Sequence, residues 1–142
     1  MFSLEIQMAE LGSHLIHLGI AYLLAVPIGL NREAKVRSAG LRTFPLVAMA
    51  ACGYMLTGMY VLDTGDAEAR VLYGIITGIG FIGGGAILKD GGSVSGTATA
   101  ASIWTTGAIG IAVAFRRYEI AILLSLMNFA TLSMGQRLKE KL

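Results

Sequence analysis

Long apolar runs alternate with short polar connections along this chain. Apolar stretches extend from His14 to Leu30, Thr43 to Leu62, Val71 to Leu88, Thr97 to Phe115 and Tyr118 to Met134. A single charge, Glu119, sits at the edge of the last, and each stretch is 17 to 20 residues long. A helix needs about 20 apolar residues, within a range of roughly 17–25, to cross the hydrocarbon core of a bilayer. Only a helix or a closed barrel satisfies its own backbone there. The pattern predicts an all-α polytopic membrane protein with five transmembrane helices, forming one membrane domain over residues 1–142.

Composition agrees with the pattern. The chain is 55% hydrophobic and 14% charged, with 19 glycines, against about 25% charged residues in a soluble domain. The net charge of +2 comes with no basic tract, so nothing points to nucleic acid. Cys52 is the one cysteine, which leaves neither an internal disulfide nor a cysteine metal cluster. Glu5 and Glu10 precede the first run and the first basic residue is Arg32. That order is unlike a signal peptide, and the N-terminus is expected to be retained.

Charge also orients the spans. With five crossings, one face holds Arg32, Lys35, Arg37, Arg42, Lys89, Arg137, Lys139 and Lys141, and the other holds Arg70, Arg116 and Arg117. The positive-inside rule puts the first face in the cytoplasm, with the N-terminus outside and the C-terminus inside. Arg116 and Arg117 run against the rule.

The stretch TGIGFIGGG, Thr77 to Gly85, contains a literal G-x-G-x-x-G between Gly78 and Gly83. A dinucleotide turn needs a strand before it, a helix after it and an acidic residue about 20 positions on. Position 103 is Ile, inside another apolar run, and Asp90 comes too soon. NAD binding is therefore set aside and no cofactor is expected. At helical spacing Gly74, Thr77, Gly78, Gly84 and Gly85 share one stripe, and Gly74/Gly78 and Gly80/Gly84 are GxxxG pairs. Such stripes let membrane helices approach closely, so Gly74, Gly78, Gly80, Gly83, Gly84 and Gly85 are candidate packing positions. The alternative is that Gly83–Gly85 unwinds the helix, since broken membrane helices expose backbone groups that build ion sites. The small-residue fourth run, joined to the third by KDGGSVSG, is expected to pair with it as an antiparallel hairpin.

Polar residues give few chemical candidates. Arg32, Glu33, Arg42, Thr43 and Asp90 are expected to form a polar cluster on the cytoplasmic side. A plain topological anchor is the simpler reading of its charges. Glu10, His14 and His17 share a helix face at a spacing that suits Zn²⁺ if another ligand arrives, although interfacial polar residues read more simply. Asp63, Asp66 and Glu68 offer oxygen ligands for Mg²⁺ or Ca²⁺, but a solvated loop is the simpler reading. The metal question stays open. Thr77, Thr99, Trp104 and Asn128 are candidate polar linings. No Asp, Glu, Lys or Arg lies deep in any run, which argues against a self-contained proton-coupled carrier. No nucleophile–base pair points to an enzyme.

Two blocks, GLNREAKVRSAGLRTFPLVA (Gly29–Ala48) and GIGFIGGGAILKDGGSVSGTATAASIWTTGAIGIAVA (Gly78–Ala114), resemble the membrane domain of the MgtC/SapB family. The resemblance runs from the first to the fifth predicted helix. The motif positions it carries over are Gly29, Arg32, Glu33, Ala39, Gly40, Leu41, Arg42 and Thr43, then Gly78, Gly80, Phe81, Gly83, Gly85, Gly92, Thr99, Ala100, Ala101 and Trp104. Departures are Gly84 where the family usually has alanine within Gly-Ala-Gly, and GTATAA at Gly96–Ala101 where it has Gly-Leu-Thr-Thr-Ala-Ala. The cytoplasmic domain of longer members is not expected in this chain. The resemblance implies a bacterial inner-membrane protein with a cytoplasmic C-terminus, linked to Mg²⁺ limitation and stress adaptation. Some members act as regulators of other membrane proteins, ATP synthase included. The expected function is a non-enzymatic regulator, with a small Mg²⁺ transporter or channel as the alternative. Expected partners are the bilayer, a second copy as a dimer, another membrane protein and Mg²⁺.

Overall fold

A computed structural model describes residues 8–34, 39–139 and 141. Glu5, Lys35 and Arg37 lie outside them. Five helices and one short hairpin follow in the order α1 (Met8–Glu33), α2 (Thr43–Val61), α3 (Gly65–Gly85), β1 (Leu88–Asp90), β2 (Ser93–Ser95), α4 (Thr97–Ala114) and α5 (Tyr118–Lys139). The protein is all-α in its packing, as the hydropathy pattern predicts.

Four helices, α1, α2, α4 and α5, are long and apolar enough to cross a membrane. The third is long enough, with 21 residues, but Asp66, Glu68 and Arg70 in its opening turns and its many glycines dilute its apolar character. It also stops at Gly85, three residues short of the predicted run, because Leu88 belongs to the hairpin.

Local chemistry accounts for the boundaries. Pro45 sits in the first turn of α2, where a missing N–H costs nothing. The Thr64 side chain accepts a hydrogen bond from Ala67 N at 3.2 Å and caps α3. Asp66 and Glu68 follow in the first turn, where negative charge suits the helix dipole. Within α1, Pro27 removes the N–H that Leu23 O would accept. One residue on, the Ser125 hydroxyl donates to Leu24 O at 2.6 Å and ties α5 to this part of α1. The KDGGSVSG connection is a two-stranded antiparallel hairpin pairing Leu88 with Ser95 and Asp90 with Ser93. Gly91 and Gly92 both have positive φ, 52° and 89°, as a tight two-residue hairpin turn demands.

Helix α4 is the centre of the bundle and packs against all four others. Its small residues allow this. Gly110 lies against the α2 backbone, where a Cβ would collide with the Ala48 carbonyl oxygen. Gly107 receives the Ile79 side chain of α3. The core around these contacts holds Ala25 and Ile28 of α1, Phe44, Cys52 and Met55 of α2, and Ile103, Ile109 and Val113 of α4, all essentially inaccessible.

Candidate functional site

The sequence points to the end of α1 and the segment leading into α2, and the structure explains that motif residue by residue. Gly29 lets the chain return across α1, with Leu41 Cα 3.0 Å and Gly40 O 3.2 Å from where a Cβ would stand. Gly40 is buried against Glu33, and any side chain there would run into the Glu33 carboxylate. That carboxylate accepts a hydrogen bond from Leu41 N at 2.9 Å. Gly40 O in turn accepts from Thr43 N and Phe44 N, which starts α2. Glu33 therefore works as a clasp on the backbone of the 39–42 turn.

Arg32 is only 6% exposed. Its Nη2 donates to Asn31 Oδ1 at 3.1 Å, and Asn31 Nδ2 donates to Ser133 Oγ of α5 at 3.0 Å. Its Nε has no partner. The predicted five-residue cluster does not assemble. Arg42 is exposed at the start of α2, Thr43 is half-buried, and Asp90 is exposed on the hairpin. Among the described residues the one ion pair is Arg117–Glu119, so neither Arg32 nor Arg42 meets a carboxylate. Only Arg32 and Glu33 are engaged, and in separate networks, because the Glu33 side chain is used on the Leu41 amide.

The glycine stripe is also turned around. Gly74, Gly78, Gly80, Gly84 and Gly85 have nothing within 4 Å of a Cβ position, and Gly83 alone is packed, against Ala100 O at 3.1 Å. The third and fourth helices do pair as an antiparallel hairpin, but α3 turns Ile75, Ile79 and Gly83 inward. The isoleucines make more dispersion contacts than glycines would, and α4 supplies the glycine that receives one of them. The helix is continuous to Gly85, so the glycine run ends it rather than breaking it within. Ala86 N and Ile87 N close the last turn on Gly83 O and Gly84 O. Gly74 and Gly78 instead line an apolar groove of about 760 Å³ between α2 and α3, together with Thr43, Ala50 and Tyr54.

The four predicted lining residues do not share a path. Thr77 is exposed and its hydroxyl donates to Tyr73 O within its own helix at 2.9 Å. Trp104 is 57% exposed, whereas Thr99 is buried. Asn128 is buried and bonds across helices, its Oδ1 accepting from Ser102 Oγ at 2.8 Å. Such bonds between polar residues hold membrane helices together. Ser125 and Ser133 are interhelical partners that sequence reasoning missed. Their only signal is a hydroxyl inside an apolar run.

Among the described residues no three metal-binding side chains come together. His17 Nδ1 bonds Ser13 O at 2.7 Å and its Nε2 faces the Tyr118 hydroxyl at 3.1 Å, so both ring nitrogens are used. His14 stacks edge-on against Tyr60 at 4.8 Å.

Apolar helices gathered around a glycine-bearing central helix, with Asn128, Ser102 and Ser125 bonded between helices, define a polytopic α-helical membrane protein. Residues 18–141 match the model of the MgtC family, and the chain belongs to that family. It is 34% identical over 135 residues to "Putative magnesium transporter YhiD" of Escherichia coli K12, covering 90% of this chain and 63% of that protein. It is 36% identical over 109 residues to protein MgtC of Salmonella typhimurium LT2, covering 77% of this chain and 46% of that one. A Synechocystis protein, slr0014, is 37% identical over 119 residues, covering 83% and 50%. The chain thus spans about half to two-thirds of the length of these curated relatives. No solved structure matches it. Family membership and the apolar helices make this a membrane protein of the MgtC family.

Proposed function

We propose that this protein is a non-enzymatic regulator of the bacterial inner membrane, tied to Mg²⁺ limitation, that works by packing against a second copy or another membrane protein. The outward-facing glycines of α3 carry this reading. In lipid a bare glycine face forgoes contacts that a neighbouring helix supplies. Gly74 and Gly78, one turn apart, form such a face, with open space where their Cβ atoms would stand, and Gly80 is equally bare on another side of the helix. The dispersal of Thr77, Thr99, Trp104 and Asn128 between surface and interior supports it too, since a conduit needs them on one path. Arg32 and Glu33 then serve to set the cytoplasmic end of the bundle.

Transport is the second reading, and the name of YhiD favours it. An assembly of copies would have to supply the path. Mg²⁺ flux into proteoliposomes of the purified chain separates the two. The regulator reading expects uptake no greater than in empty vesicles, from protein shown to be folded. Uptake above that level, reduced by Arg42→Ala, would overturn it in favour of transport. The packing claim has its own test: Gly78→Leu with Gly80→Leu should lower cross-linking between copies or to a co-purifying membrane protein, and unchanged cross-linking would sink it.

A further inference from the structure

Arg117, which with its neighbour Arg116 runs against the charge rule, stands at the mouth of a second groove. This groove, about 600 Å³, runs between α3, α4 and α5, with Ile76, Ala108, Ile111 and Phe115 along it, Trp104 at one end and Arg117 at the other. From Phe115 to Trp104 it follows α4 for roughly 16 Å, about the depth of one leaflet of a ~30 Å core. At the mouth the Arg117 Nε meets Glu119 Oε1 at 2.6 Å, and both side chains are well exposed, 63% and 58%. Arg116 is exposed beside them. The mouth thus presents guanidinium groups and a carboxylate side by side, directly above an apolar slot of one-leaflet depth.

We propose that this groove is a binding site for a phospholipid with a zwitterionic, primary-ammonium headgroup. One acyl chain lies along α4 toward Trp104. The phosphate takes the free N–H groups of Arg116 and Arg117, and the ammonium meets the Glu119 carboxylate. The charge pattern selects this class. A purely anionic headgroup meets repulsion from Glu119, and a quaternary choline has no N–H to give that carboxylate. Arg116 and Arg117 then hold a headgroup, which accounts for their breach of the positive-inside pattern.

Trp104 is the only tryptophan in the chain, which makes its fluorescence a reporter for the groove. The full chain is reconstituted in phosphatidylcholine vesicles, and acyl-brominated phosphatidylethanolamine, phosphatidylglycerol or phosphatidylcholine is titrated in. The expected result is quenching by the ethanolamine lipid at roughly fivefold lower mole fraction than by the choline lipid, the size of one exposed charge pair. Glu119→Gln and Arg117→Gln should each lower that preference, and Ala108→Phe should weaken quenching with the headgroup contacts intact. Circular dichroism checks that each variant is folded. Equal quenching by all three lipids overturns the proposal. So does a preference for phosphatidylglycerol that Glu119→Gln strengthens, since the site would then be anionic.

Discussion

Gly110 has the Ala48 carbonyl oxygen and the Ala51 Cβ in the space a side chain would take, so its absence of a Cβ sets how closely α2 and α4 approach. Gly110→Ala should force the two helices apart and cost about 1–3 kcal/mol, as overpacking does. Gly80→Ala is the matched control. With open space at that position, alanine should be neutral or stabilising by up to about 1 kcal/mol through helix propensity. Unfolding of the two variants in mixed micelles checks both signs. Asn128→Ala removes the bond to Ser102 and should cost about 0.6–2 kcal/mol by the same measurement. At this scale the motif glycines were legible as important, but their roles were not. Sequence gives a glycine no address, so Gly78 in the open and Gly110 under a carbonyl look alike until neighbours are in place.

The elements were easier to read than their joints. Apolar runs located all five helices, because a span must hold its own hydrogen bonds and its length is set by the bilayer. The hairpin at Leu88–Ser95 escaped notice, since its strands are three residues each and fully exposed. Only Gly91-Gly92 marks it. Gly92→Val puts a branched side chain at φ 89° and should destabilise the turn by at least the 1–2 kcal/mol charged for left-handed backbone. Thr64→Ala removes the cap of α3 and should cost about 1 kcal/mol. Hydrogen exchange at the α3–α4 hairpin and at the start of α3 reads each locally. Protection that does not change would show these joints to be idle.

For the whole molecule, the path of α3 decides the topology. Its composition falls short of a span, yet it lies antiparallel along α4, with Ile79 against Gly107 and Gly83 against Ala100, and its other end reaches Gly58 of α2 at Val71. Its 21 residues cover roughly 31 Å, against about 27 Å for the 18 residues of α4. A helix laid along a membrane-crossing helix occupies the same slab. Five crossings, with termini on opposite faces, are therefore expected. Reporter fusions at the two ends should show opposite sidedness, and the same sidedness at both ends would mean that α3 does not cross.

By itself the sequence determined the solvent, the helices and the family. These follow from quantities local to the chain: apolar length, charge between runs, and the motif blocks around Gly29–Ala48 and Gly78–Ala114. Only the tertiary structure decided which face of α3 turns inward, that Arg32 and Glu33 part company, and that Ser125, Asn128 and Ser133 of α5 bond to neighbouring helices. The physical reason is the bilayer. In water the hydrophobic effect drives the apolar face of a helix inward, so a pattern names its own interior. In lipid the hydrocarbon outside is as apolar as the core, so either the isoleucine face or the glycine face of α3 is free to pack. The fit of Ile79 against Gly107 chose between them.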